Sequence, residues 1–350
     1  MRIFFLTTVS VFLSLGCTRQ LPDFFTEKEK QVVVDIKPEQ GFHTLNANLQ
    51  KQSLVRYPFI FKAVAKITSM DKNVRPGEYV VSNKWSYLKL LKIFKQGSRR
   101  KINLTIPEGF NIFQIAELLE QKQLGKAKVF LQLCTSTKFV KQIFKKHSPE
   151  KQWPTNIFSL EGYLFPDTYH FYKYDSEKSI INTLVAKFFF NYQKLALKKH
   201  SKLSRHKVIT MASIVEKETG QAKERALIAG VFFNRLKKGM RLQTDPTILY
   251  GMWVNGSKSN NIRRKDILAY TKYNTYRIKA LPIGPIANPG TKAIQAVFFP
   301  KKSSFLYFVS KNNGEHVFTS TYQEHLKYVR QYQLRRARRA RRVPKTLAPK

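Results

Sequence analysis

The side chains able to do chemistry concentrate between Met211 and Thr247, in M-A-S-I-V-E-K-E-T-G and then V-F-F-N-R-L-K-K-G-M-R-L-Q-T-D-P-T. A helix over His206–Thr219 turns about 100° per residue. On that wheel Val208, Met211, Ile214, Val215, Glu218 and Ala222 share one side. Glu218 therefore interrupts an apolar stripe, whereas Glu216 and Lys217 are expected on the solvated outer face. Burial disfavours the charged form of a carboxylic acid and raises its pKa. An acid that keeps its proton near neutral pH is suited to general acid catalysis. Gly220 supplies a stop signal just past the helical run. Glu218 is thus expected in the last turn, where the helix dipole also disfavours negative charge.

Two polar clusters could hold a substrate beside this acid. Gln243, Thr244 and Asp245 form a short run before Pro246, and Asn274, Thr275 and Tyr276 form a second. Amides and hydroxyls suit N-acetyl groups and ring hydroxyls, and a tyrosine face can stack on a pyranose. On residue type alone, satisfying a turn is the preferred role for each. Glu161 and Asp167, in L-E-G-Y-L-F-P-D-T-Y, either line the same cleft or brace a loop through backbone hydrogen bonds. Bracing is the preferred reading for Asp167, beside Pro166.

Several long stretches together carry a family resemblance. They are Leu160–Tyr169, A-S-I-V-E-K-E-T (Ala212–Thr219), Phe233–Met252, Y-N-T-Y (Tyr273–Tyr276), L-P-I-G-P-I-A-N-P-G (Leu281–Gly290) and L-Y-F-V (Leu306–Val309). Over most of Leu160–Tyr332 the chain resembles the endolytic murein transglycosylases, the YceG-like family of membrane-anchored cell-wall enzymes. The resemblance implies an α+β catalytic domain with its acid on a helix at the cleft. It maps the catalytic acid onto Glu218 and makes Gln243, Asp245, Asn274, Tyr276 and Glu161 candidate substrate contacts. The implied substrate is a nascent peptidoglycan strand, cut between N-acetylmuramic acid and N-acetylglucosamine. Glu218 would protonate the glycosidic oxygen and then, ionised, accept the proton of the sugar's own C6 hydroxyl as a 1,6-anhydro ring closes, ending strand elongation. Peptidoglycan synthases are candidate partners. Two alternatives stay open: an inverting hydrolase with a second carboxylate opposite Glu218, and a non-catalytic, membrane-anchored glycan-binding or assembly scaffold.

Composition is compatible with this reading but does not select it. A chain of 350 residues with 43% hydrophobic content can build two domains. Its net charge of +41 invites an anionic surface. No nucleic-acid-binding motif accompanies the charge, so nucleic acid is not an expected partner. Two cysteines, Cys17 and Cys134, give no disulfide framework. The seven histidines show no ligand spacing, and neither a metal nor a cofactor is expected.

The expected organisation is an N-terminal membrane anchor (1–17), a linker (18–30), a LysM-like βααβ module (31–98), a mixed α+β catalytic domain (99–332) and a basic tail (333–350). Ile3–Gly16 is apolar but shorter than the roughly 20 residues of a spanning helix. It reads as an uncleaved single-pass anchor in the cytoplasmic (inner) membrane, with the remainder on the extracytoplasmic side. Lipidation at Cys17 is the second reading, with Ser14 where leucine is usual. Val32–Lys37 and Ile102–Ile106 each read as a strand followed by a glycine turn and a helix. P-G-E-Y-V-V-S is a return strand, a helix is expected around Trp85–Phe94, and N-N-G marks a hairpin between Leu306–Ser310 and His316–Ser320.

Overall fold

The computed structural model describes residues 29–97, 99–148, 157–196 and 203–334. The anchor, most of the linker and nearly all of the basic tail lie outside these residues. Among the described residues no helix is long and apolar enough to cross a membrane. The architecture is mixed α+β, with thirteen α-helices and three two-stranded sheets among the described residues. The chain divides into two compact units, one of residues up to Ile102 with His170–Asp175, the other of Asn103–Tyr169 with Ser176 onward.

The first unit follows the order β1 (Gln31–Ile36), α1 (Phe42–Lys51), α2 (Pro58–Ile67), β2 (Gly77–Ser82) and α3 (Tyr87–Gln96). β-Branched valines favour β1, which pairs antiparallel with β2 in the register Val34↔Tyr79. Pro58 starts α2 at a position where its missing N–H costs nothing, and Gly97 closes α3 in the left-handed region at φ 77°. Leu45, Leu49, Phe61, Tyr79, Leu90 and Phe94 fill its core. The register also sets Asp35 directly opposite Glu78, a repulsive pair. Lys173 neutralises it, reaching Asp35 at 2.9 Å and Glu78 at 2.8 Å.

The second unit contains β3 (Lys101–Thr105, beginning at the unit boundary), α4 (Ile112–Gln121), α5 (Ala127–Thr135), α6 (Thr137–His147) and β4 (Thr168–Tyr172). Of β4 only Thr168 and Tyr169 belong to this unit, residues 170–172 being part of the first. The second unit continues with α7 (Glu177–Ala196), α8 (Arg205–Glu218), α9 (Arg225–Lys237), α10 (Asp245–Val254), α11 (Arg264–Leu268) and α12 (Thr291–Phe298). The hairpin β5 (Tyr307–Ser310)–β6 (His316–Thr319), α13 (Tyr322–Val329) and a π-helical turn (Arg330–Leu334) complete it. β3 pairs with β4, and β5 with β6.

Helix α8 lies at the centre, packed on α9, α10 and α12. Every residue from Val208 to Glu216 is buried, so this stretch has no solvated face, and Lys207 and Lys217 are exposed only at its two ends, Lys217 as expected. The expected outer position of Glu216 is accordingly incorrect: neighbouring helices and loops cover that side too. Close packing of α9 depends on Gly230, where an added Cβ would stand 2.3 Å from the carbonyl oxygen of Lys301. An aromatic cluster of Phe144, Tyr163, Phe188 and Phe189, with edge-to-face centroids 4.9–5.4 Å apart, joins α6 and α7 to the 160–164 turn.

Candidate active site

Ser204 caps α8, its hydroxyl accepting the Lys207 N–H at 3.5 Å, and the helix stops at Glu218 because Thr219 turns to extended backbone (φ −148°, ψ 136°). The acid therefore occupies the final helical residue. Glu218 is half-buried as a residue, but its Oε1 is sealed from water and has no hydrogen-bond partner. Burial is the main force pushing its pKa up to about 7. The charge of Asp245 adds to the rise, whereas the Thr244 hydroxyl and the Arg235 guanidinium oppose it. Although the Thr244 hydroxyl acts on Glu218, its Oγ1 also lacks a partner in hydrogen-bond geometry. Two buried polar atoms without partners at one place are costly unless a ligand satisfies them.

The 242–247 segment is held rigidly. The Thr244 N–H donates to Thr275 Oγ1 at 3.0 Å, and its carbonyl accepts from the Thr247 hydroxyl at 2.6 Å. The Gln243 N–H donates to the Thr275 carbonyl at 3.2 Å, with Gln243 in the left-handed region at φ 50°. Its side chain is exposed. Asp245 begins α10, exposed, and accepts from the Tyr276 hydroxyl at 2.7 Å. Burial and that bond keep the Tyr276 phenol protonated. Arg235 is buried and anchored: Nε donates to the Leu306 carbonyl at 2.6 Å, and Nη1 to those of Leu242 at 2.8 Å and Arg241 at 3.2 Å. Gln243, Asp245 and Tyr276 thus gather along the segment beside Glu218.

Two other candidates are placed differently. Asn274 is 1% exposed, and its amide nitrogen donates to the carbonyls of Asp266, Ile267 and Ala269 at 2.6–3.2 Å. Its Oδ1 accepts the Tyr276 N–H at 2.9 Å. The whole amide is spent on shaping a loop, so the expectation of a sugar contact there is replaced by a structural brace. Glu161, also 1% exposed, accepts from the Ile112 N–H and from Asn288 Nδ2, each at 2.9 Å. Burial pushes its pKa up to about 8 against those hydrogen bonds. It too is enclosed rather than on a cleft wall. Asp167 accepts the Thr168 N–H at 2.8 Å and pairs with Lys187 at 2.9 Å, the bracing role expected from its place beside Pro166.

The remaining motif residues meet in one buried polar network behind the acid. Arg225 Nη2 bonds Glu216 Oε1 at 2.5 Å and reaches Glu108 at 3.4 Å. Glu216 Oε2 accepts the Gly290 N–H at 2.9 Å. Asn288 exchanges backbone bonds with Gly109 and Phe110, and its Oδ1 accepts the Leu164 N–H at 2.9 Å. P-E-G-F, E-G-Y-L, V-E-K-E and A-N-P-G thereby lock the last turn of α8. Arg235 and Arg225 were not singled out from sequence, where the only signal was a cation within an otherwise apolar helical run; Thr244 was named as part of the polar run before Pro246 but not as a group acting on Glu218. Among the described residues no group of three or more His, Cys, Asp or Glu side chains is gathered as a metal-ligand set.

The fold and this site place the chain in a known class: residues 34–331 match the YceG-like family, and the protein belongs to it. It is 33% identical over 319 residues to the endolytic murein transglycosylase of Bacillus subtilis, covering 87% of this chain and 86% of that protein. It is 31% identical to the endolytic murein transglycosylase of Streptococcus pneumoniae, covering 85% of this chain but 57% of that protein. A crystal structure of a YceG-like protein from Listeria monocytogenes superposes with a TM-score of 0.57 at 32% identity, over 86% of this chain and all of that one.

Proposed function

We propose that the chain is a lytic transglycosylase acting on peptidoglycan, with Glu218 as its single catalytic acid and base. The observation that carries this reading is a carboxyl at a helix end, withdrawn from water, with one oxygen unpartnered and a pKa near 7. Protonated, it donates to the glycosidic oxygen between N-acetylmuramic acid and N-acetylglucosamine as the C1–O bond breaks. Ionised, it takes the proton of the C6 hydroxyl as that oxygen closes on C1 and forms the 1,6-anhydro end. The Thr244 hydroxyl and the Arg235 cation favour the ionised form, so the residue that must release a proton can also hold the resulting charge until the ring closes. Gln243, Asp245 and Tyr276 are the sugar contacts in this reading. Among the described residues Asp245 is the one carboxylate whose charge acts on Glu218, which keeps the inverting hydrolase as the rival chemistry.

In the same proposal the chain works at the extracytoplasmic side of the cytoplasmic membrane, anchored through residues 1–17, and ends nascent strands near the synthases that make them. The βααβ order of β1, α1, α2 and β2 suits a LysM-like glycan grip. Digestion of nascent strands followed by mass analysis of the termini tests the chemistry. Anhydro ends that disappear in Glu218→Gln support it. Reducing ends alone transfer the assignment to a hydrolase, and product released by Glu218→Gln at the wild-type rate removes Glu218 as the acid.

A further inference from the structure

Beyond the acid site, α10 leads into a second concavity. A cavity of about 310 Å³ is lined by Ile248, Met252 and Ala269, by serine and asparagine side chains of the 255–261 segment, by Arg263 and Lys265, and by Asp266, Thr271 and Asn274. Its size falls at the lower end for small-ligand pockets. Ile248 and Met252 follow Asp245 by about one and two helical turns, or about 5 and 10 Å along the axis. The cavity therefore opens within about two turns of the residue whose charge acts on Glu218.

Its chemistry differs from that of a sugar subsite. No aromatic side chain lines it, so no flat face is offered to a pyranose. The surrounding segment from Asn255 to Asn274 carries Lys258, Arg263, Arg264, Lys265 and Lys272 against Asp266 alone. Asp266 already accepts the Arg263 N–H at 2.8 Å and Lys258 pairs with Glu117, and among the described residues neither the Arg263 guanidinium nor Lys265 is in an ion pair. Aliphatic side chains with amides, hydroxyls and two cations against one carboxylate, Asp266, already engaged by the Arg263 N–H, suit an extended peptide with free carboxylates and methyl side chains.

We propose that this cavity is a subsite for the acidic peptide branch of the glycan strand, so that the protein prefers peptide-bearing over stripped strands. The inference rests on the lytic reading of Glu218 and adds the substrate class. Charge-assisted hydrogen bonds are the stronger ones, and at exposed positions two such contacts together are worth up to about one power of ten in rate.

The test uses the full-length protein in detergent, with strands that carry their peptides and the same strands stripped by an amidase, and follows anhydro ends by mass spectrometry. The wild type should show about tenfold higher kcat/KM on peptide-bearing strands. Arg263→Gln with Lys265→Gln, both at exposed positions, should bring the ratio to about one while leaving the rate on stripped strands unchanged. A wild-type ratio near one, or a preference that survives the double variant, overturns the subsite. Absence of anhydro ends from both substrates overturns the lytic reading instead. Anisotropy of the amidase-released peptide, dye-labelled at its N-terminus, then decides the subsite. Binding lost in the double variant sustains it, and no binding, or binding unchanged by the substitutions, refutes it.

Discussion

Replacing Glu218 by glutamine should abolish activity and, at alkaline pH, stabilise the protein. The folded carboxyl titrates near 7 rather than at its ordinary 4.5. Between those values the folded state keeps a proton that the unfolded chain has released. The contribution is fully present below pH 4.5 and is lost as pH rises through 7. A displacement of that size corresponds to about 3 kcal/mol. Glutamine resembles the protonated acid in shape and never ionises, so the variant escapes the loss. Urea unfolding of both proteins between pH 4.5 and 8.5 measures it, because the difference between their curves removes every other titrating group. The variant should gain on the wild type by about 3 kcal/mol across this range, with most of the gain below pH 7. Parallel curves would refute the claim that burial holds the proton on Glu218.

Asp245→Asn removes the like charge beside the acid and should lower the Glu218 pKa, moving the alkaline decline of kcat/KM to lower pH; a limb that stays in place removes Asp245 from the electrostatics. Glu216→Gln leaves the buried Arg225 guanidinium facing only Glu108 at 3.4 Å, and should cost about 3 kcal/mol of stability by calorimetry. Asn274→Ala strips three loop carbonyls of their donor and should lower stability by about 2 kcal/mol. A change in KM at unchanged stability would instead return Asn274 to the substrate.

The position of Glu218 was legible because two independent signals coincided: an acid in an apolar stripe and a glycine stop two residues later. The helix ends one residue earlier than expected, at Glu218 itself. The hairpin was equally legible, since N-N-G dictates a turn between alternating strands, and β5 and β6 fall within the expected runs. Glu216 was misread because periodicity presumes a solvated face, and α8 has none between Val208 and Glu216. That error concealed the Arg225 pairing, which depends on how the next helix, α9, folds back against the end of α8. For Asn274 and Glu161 the sequence left two roles open for a different reason. A polar side chain beside a turn can serve a ligand or the chain's own backbone, and only the position of the acceptor carbonyls decides. The two partnerless oxygens at Glu218 and Thr244 have no sequence signature, because they depend on which atoms fail to meet.

The circuit through Glu161, Asn288, Glu216 and Arg225 has an evolutionary corollary. Each member satisfies a group contributed by another segment, so replacing one strands its neighbour in a dry environment. Homologous chains should accordingly exchange these positions as matched sets or leave them alone, while the exposed cationic rim of the 255–274 excursion drifts freely with the chemistry of each organism's wall. Paired substitutions within the circuit should recover much of what single ones lose.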